Sequence, residues 1–130
     1  MYKFSDGGQS ESGLKGNRYC GPRAVSIATG IGFSKACDLL KEHSQKGVKG
    51  SKRISTGVFK DDMNSALKSL GWTWTPAPKL SGRKARASDL PSGTYIARMA
   101  RHYAAVIDGV VHDSWNSSNK MVYGYWRKIK

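Results

Sequence analysis

Cys20 stands directly before Gly21 and Pro22 and opens a run of small apolar residues, "CGPRAVSIATG", that reads as a buried helix. A cysteine in that place has two readings. It packs as a small hydrophobe, as free thiols commonly do, or it is a nucleophile whose thiolate is favoured by the positive end of the helix dipole. The second reading needs a base, and the stretch "RHYAAVIDGVVHDSW" offers one. Asp108-Gly109, flanked by apolar and β-branched residues, predicts a two-residue hairpin loop. That loop pairs Ile107 with Val110, Val106 with Val111, Ala105 with His112 and Ala104 with Asp113. His102 then shares a face with Asp113 and lies diagonally beside it, within reach of long side chains. His112 falls on the opposite face. An imidazole next to a carboxylate is held in the tautomer that a base requires. Cys20, His102 and Asp113 together are the groups of covalent acyl transfer: a thiolate to attack a carbonyl, an imidazole to move the proton, and a carboxylate to orient the imidazole.

Such chemistry also needs donors for the oxyanion. The backbone N–H of Cys20 is a natural one, and Asn17 is either a side-chain donor or a turn residue. Asn116 and Asp108 are substitutes for Asp113, Asp108 the poorer because the turn needs it. Cys20, His102, His112 and Asp113 include zinc-ligand types, but the hairpin separates the two histidines and no paired Cys or His spacing occurs, so no metal is expected. With no phosphate loop or dinucleotide fingerprint, no organic cofactor is expected either. His43 reads as a surface-helix residue and Cys37 as packing.

The elements that must position these groups follow from periodicity. The first nineteen residues read as an irregular arm with at most one short strand. The cysteine helix has Pro22 in its first turn, where a missing N–H costs nothing, and stops at Gly30 to Gly32. A second helix begins behind Ser34 as N-cap and turns Ala36, Cys37, Leu39 and Leu40 inward. A third, capped by Thr56, carries Val58, Phe59, Met63, Ala66, Leu67 and Leu70 at helical spacing and ends at Gly71. The period then changes to two. "WTWT", "TYIARMA", "HYAAVI", "VVHDSW" and "MVYGYWRKI" read as strands. Helices first and strands afterwards predict an α+β domain over residues 1–130, with the helices packed on a C-terminal antiparallel sheet. Trp72 and Trp74 either stack on bases or, sharing one strand face, fill the core.

Charge is the main compositional departure, with 22 Lys and Arg against 9 Asp and Glu and a formal net charge of +13. This attracts polyanions, so nucleic acid is a partner to consider beside an acidic protein substrate. Three basic clusters carry the excess: Lys46 to Arg53, Lys79 to Arg86 with Arg83 and Lys84, and Arg127 to Lys130. Each is also what an ordinary solvated loop or terminus looks like. No apolar run reaches the ~18 residues of a membrane span, and the start has no signal-peptide core, so no membrane association and a cytoplasmic location are expected. Cys20 and Cys37 are then expected to be free thiols. The oligomeric state has no signature in the sequence.

An N-terminal cysteine helix followed by a sheet that bears His and then Asp resembles the papain-like cysteine peptidases, in particular the compact bacterial ones that process bacteriocin leaders, whose "CG" plus "A" pattern Cys20, Gly21 and Ala24 match. The chain is more closely similar to an uncharacterised family of small phage and bacterial papain-like proteins. The matching positions are Asp6-Gly7-Gly8, Cys20, Gly71 to Trp74, Arg101-His102, Ala105 to Val110, His112-Asp113 and Val122 to Trp126. The resemblance implies a papain-like fold, a Cys20-His102-Asp113 triad acting on a protein or peptide through a thioester, and the host cytoplasm as its location if phage-encoded. One departure stands out. The glutamine that such enzymes place about six residues before the nucleophile is replaced by Leu14, and Gln9 lies further upstream. The rival expectation is a catalytically inactive basic module of the same fold that binds nucleic acid through Arg83, Lys84 and Arg86, or that inhibits a host protein.

Overall fold

The computed structural model describes residues 2–13, 19–43, 60–77, 80 and 85–129. Along the chain these form β1 (Tyr2–Phe4), α1 (Gln9–Ser12), α2 (Cys20–Thr29), α3 (Phe33–His43) and α4 (Lys60–Ser69). Strands β2 (Trp72–Pro76), β3 (Thr94–Met99), β4 (His102–Ile107), β5 (Val110–Asp113) and β6 (Val122–Lys128) follow, with a 3-10 turn at Ala87–Asp89 before β3. Thr56, Val58 and Phe59, expected at the start of the third helix, lie outside the described residues.

Each helix buries the face its spacing dictates. In α2, Ala24 and Val25 turn inward, and the Gly30 N–H closes the last turn on the Ser26 carbonyl at 2.9 Å. Phe33, Ala36, Cys37 and Leu40 of α3 and Met63, Ala66 and Leu67 of α4 recur every three or four residues and join the same core. Ser34 does not cap α3: the helix opens one residue earlier, and the Ala36 N–H bonds the Gly32 carbonyl at 3.0 Å. The sheet contributes Trp72, Ile96, Tyr103 and Trp126 to this core. Alternate residues point the other way. Tyr95, Ala97, Met99, Ala104, Val106, Val111 and Tyr125 form a second core, closed by Ala87 and Leu90. The sheet is thus buried on both faces, by helices on one and by the segment before β3 on the other.

Two expectations are corrected. The sheet has six strands in the order β1-β5-β4-β3-β6-β2 and is mixed, because β1 runs parallel to β5 while the other pairs are antiparallel. The N-terminal arm carries a short strand, β1, as expected, and in addition the helical turn α1, which was not expected. Tyr2–Phe4 pairs with Val111–Asp113, a contact between the two ends of the sequence that no local pattern announces. The strand expected at "WTWT" is β2, on the far edge against β6, and its tryptophans are packed. Trp72 is buried, and Trp74 stands edge-on to Trp126 at 4.7 Å between ring centroids.

Gly124 makes that tryptophan contact. A Cβ there would collide with the Trp74 indole at Cζ2 and lie 2.9 Å from the Thr75 carbonyl oxygen. The indole has little room to yield, with Trp126 on one side and the Lys60 ammonium 4.3 Å from its centroid. Gly124→Ala is expected to destabilise the fold by about 1–3 kcal/mol as an overpacked site. Urea unfolding followed by tryptophan fluorescence measures it.

Candidate active site

The hairpin places the imidazole and the carboxylate together. Asp108 and Gly109 both have positive φ, 50° and 81°, as a two-residue turn of this hand requires. Asp108 Oδ1 accepts hydrogen bonds from the Ser92 hydroxyl at 2.8 Å and the Gly93 N–H at 2.9 Å. Its side chain is therefore committed to the turn. The register is Ile107 to Val110, Val106 to Val111 and Ala105 to His112. His102 Nε2 meets Asp113 Oδ2 at 2.5 Å. Both residues are buried, Asp113 to within 2 % of full enclosure. His112 is half-buried on the other face, and Asn116 is exposed, its Oδ1 taking the Ser118 N–H and hydroxyl.

Asp113 is held from several sides. Ser117 Oγ donates to Oδ2 and the Ser114 N–H to Oδ1, each at 2.7 Å. Its backbone carbonyl accepts the Ser5 N–H at 2.7 Å and the Tyr2 hydroxyl at 3.1 Å, so β1 braces the strand that carries the carboxylate. With Nε2 committed to Asp113, the other imidazole nitrogen, Nδ1, is the one left for the thiol. The Trp115 ring lies against the imidazole at 4.8 Å between centroids.

Cys20 is the first residue of α2, half-buried, and is hydrogen-bonded to His102. Burial pushes its thiol pKa up. The hydrogen bond and charge of His102, the Tyr103 backbone N–H and the charge of Arg23 outweigh burial and bring it below its ordinary value. His102 shows the reciprocal effect. Burial alone would lower it, but hydrogen bonds to Asp113 and Cys20, with the negative charge of both, hold it at about 9. A lowered thiol and a raised imidazole both favour the charged forms of the two groups. Cys37 behaves otherwise. It is buried in the helical core, and burial raises it to about 11, so the second thiol is inert.

The oxyanion donors divide. Asn17 lies outside the described residues. Cys20 opens a helix whose N-cap, Tyr19, makes no side-chain hydrogen bond to it. Gln9, further upstream than the glutamine of such enzymes, is carried to α2 by the chain fold: its Oε1 accepts Arg23 Nη1 at 2.8 Å, and both residues are buried. The Asp6-Gly7-Gly8 turn makes this approach. Asp6 caps the backbone N–H groups of Gly8 and Ser10 with its carboxylate. The Gly7 carbonyl accepts Ser26 Oγ at 2.6 Å, and a side chain at Gly7 would press on the Arg23 backbone at 3.0 Å. Arg23 was not singled out in the sequence, although its spacing of three from Cys20 puts it about one turn along the same helix; Gln9 was named only as a glutamine further upstream, and nothing local places it against Arg23.

Of the basic residues expected to meet polyanions, Arg86 is exposed and its backbone N–H bonds Asp89 Oδ2 at 2.9 Å, while Arg83 and Lys84 lie outside the described residues. His43 is half-exposed on α3, its Nδ1 2.8 Å from the Ser65 hydroxyl. Among the described residues, no group of three or more His, Cys, Asp or Glu side chains is arranged to hold a metal ion, and no helix is long and apolar enough to cross a membrane.

The molecule is an α+β protein with a six-stranded mixed sheet, and it joins a thiol, an imidazole and a carboxylate in one hydrogen-bonded chain. Compared with known proteins, the sequence matches no family model, no curated protein and no solved structure.

Proposed function

We propose that the protein is a papain-like cysteine hydrolase acting on an amide, isopeptide or thioester of a protein or peptide. The observation that carries this reading is the imidazole of His102 between two partners, bonded through Nε2 to Asp113 and hydrogen-bonded also to the Cys20 thiol. The Cys20 thiolate attacks the acyl carbonyl, and the backbone N–H of Cys20 donates to the oxyanion. Collapse of the tetrahedral intermediate expels the leaving group, which takes the imidazolium proton, and leaves a thioester on Cys20. Neutral His102 then removes a proton from water as the water attacks, and the thiolate and imidazolium are restored. Asp113 keeps the ring oriented and stabilises its positive form. A reducing cytoplasm preserves the free thiol that this cycle needs.

The test uses p-nitrophenyl acetate as a minimal acyl donor. The parent is expected to give a burst of p-nitrophenolate, a single acetyl adduct mapped to Cys20, and turnover. Cys20→Ala abolishes all three, and His102→Ala removes turnover. Acetylation of Cys20 no faster than that of a small thiol, or an adduct never released, overturns the hydrolase reading and leaves the scaffold to binding.

A further inference from the structure

In the first turn of the helix that Cys20 opens lies a buried cation with no carboxylate beside it. Arg23 is 3 % exposed. All nine Asp and Glu of the chain are among the described residues, and none is ion-paired with it. Its Nη1 donates to Gln9 Oε1 at 2.8 Å, and its Nε–H finds no acceptor. A guanidinium stays charged at every working pH, and an unpaired charge is costly to bury. The first turn of a helix, where the dipole is positive, adds to that cost. Gln9 offsets it with no more than the dipole of an amide.

An anion is within reach on the same helix. Residues three apart share a helix face, and long helical side chains lean toward the N-terminus, so Arg23 covers the turn that begins with Cys20. Against burial, the Cys20 thiolate is favoured by His102 and the Tyr103 backbone N–H, both of β4, and by the Arg23 charge. The other charged groups nearby face elsewhere: Asp113 of β5 acts on His102, and Lys41 and Asp38 of α3 act on Cys37. The Tyr103 phenol, pushed up to about 12 by burial, stays neutral. Packing fixes the guanidinium in place. The Gly7 turn sits on the Arg23 backbone, its carbonyl accepting Ser26 Oγ at 2.6 Å, and brings Gln9 onto Nη1. A glutamine grips the cation without neutralising it. A glutamate of the same shape would grip it and cancel its field.

We propose that Arg23 is a positioning residue of the Cys20 site, the second counter-charge of the thiolate beside the His102 imidazolium, and that Gln9 anchors it through a neutral acceptor so that its charge is left for the sulfur. The hydrolase reading supplies Cys20 as the nucleophile; acyl transfer itself is not required.

In the test, Cys20 of the full chain is alkylated with iodoacetamide, a neutral reagent, at pH 6.5 and pH 10.5, with Cys37 as reference. Arg23→Gln is expected to slow the reaction at pH 6.5 roughly three- to tenfold and to leave it within about twofold of the parent at pH 10.5, as one charge acting through space would. Arg23→Lys, which keeps the charge, is expected to recover most of the rate. Gln9→Glu keeps the shape and the grip, and is expected to slow the pH 6.5 reaction over the same range because its carboxylate cancels the guanidinium. A purely structural anchor gives the opposite result for this variant, a firmer hold on Arg23 and a rate no lower than the parent's. That result overturns the proposal, as does an Arg23→Gln rate that falls equally at both pH values or at neither. Should Arg23→Gln not fold, Gln9→Glu decides alone. If the variants behave as expected and the parent never turns over p-nitrophenyl acetate, the hydrolase reading fails and the counter-charge stands.

Discussion

Replacing His102 with alanine is expected to slow iodoacetamide alkylation of Cys20 at pH 6.5 by roughly 10- to 100-fold, and to leave the rate at pH 10.5 within a few-fold of the parent. Two opposed forces act on the thiol. Burial is the largest single influence and raises its pKa; the hydrogen bond and charge of His102 are what reverse it. Once the imidazole is gone, Arg23 and the Tyr103 N–H remain, and the thiol returns to or above the ordinary cysteine range, where about 1 % is ionised at pH 6.5. At high pH the thiolate forms in either protein, and the difference closes. The sign of the pH dependence is therefore the discriminating readout: a variant that merely blocked access or loosened the fold would change the rate at both pH values alike. Cys37, raised to about 11 by burial, serves as the internal reference because its own rate should not respond. Equal alkylation of parent and variant at pH 6.5 would show that no thiolate–imidazolium pair forms.

The part of the site legible in the sequence is the part built by local geometry. His102 and Asp113 flank a tight turn, and a turn with the Asp-Gly signature sets register, so alternation alone puts the two side chains on one face. The cysteine helix was equally local, with its proline, its small residues and its closing glycine. What lay hidden was non-local. A short strand was expected somewhere in the N-terminal arm, but not its partner: Tyr2 to Phe4 pair in parallel with β5, and the Tyr2 hydroxyl, 111 positions away in sequence, bonds the Asp113 carbonyl, as does the Ser5 N–H. Gln9 meets Arg23 only because the Asp6-Gly7-Gly8 turn packs on α2. The placement of β6 between β3 and β2 is likewise a matter of global topology, and with it come the Tyr123 bulge and the indole over Gly124. Residue types announced the chemistry, whereas the surroundings that tune it are assembled by contacts distant in sequence.

Asp113→Asn is expected to lower turnover of an acyl substrate by roughly 100-fold or more and to move the alkaline limb of activity from near pH 9 toward the ordinary histidine range. The carboxylate serves three donors: His102 Nε2 and Ser117 Oγ on one oxygen, and the Ser114 N–H on the other. Asparagine has one carbonyl oxygen for all three. If that oxygen stays with Ser114, the amide NH2 confronts Nε2, the imidazole turns to the tautomer with its proton toward Cys20, and it cannot take the thiol proton. If the oxygen stays with His102, the NH2 opposes the Ser114 N–H and strains the strand end. Either arrangement also removes the negative charge that helps hold the imidazolium at about 9. The same charge sets a stability signature. A histidine whose pKa is raised on folding stabilises the native state fully below its unfolded value, near 6.5, and this contribution is lost as pH rises through about 9. The stability gap between parent and Asp113→Asn, measured by urea unfolding, should therefore be widest near pH 6 and narrow above pH 9. Asp113→Ala goes further. It leaves a buried imidazolium and two donors without their acceptor, with an expected cost of about 3–5 kcal/mol. A gap that widened with pH instead would mean that His102 enters the native state neutral, and the thiolate would then have lost its counter-charge.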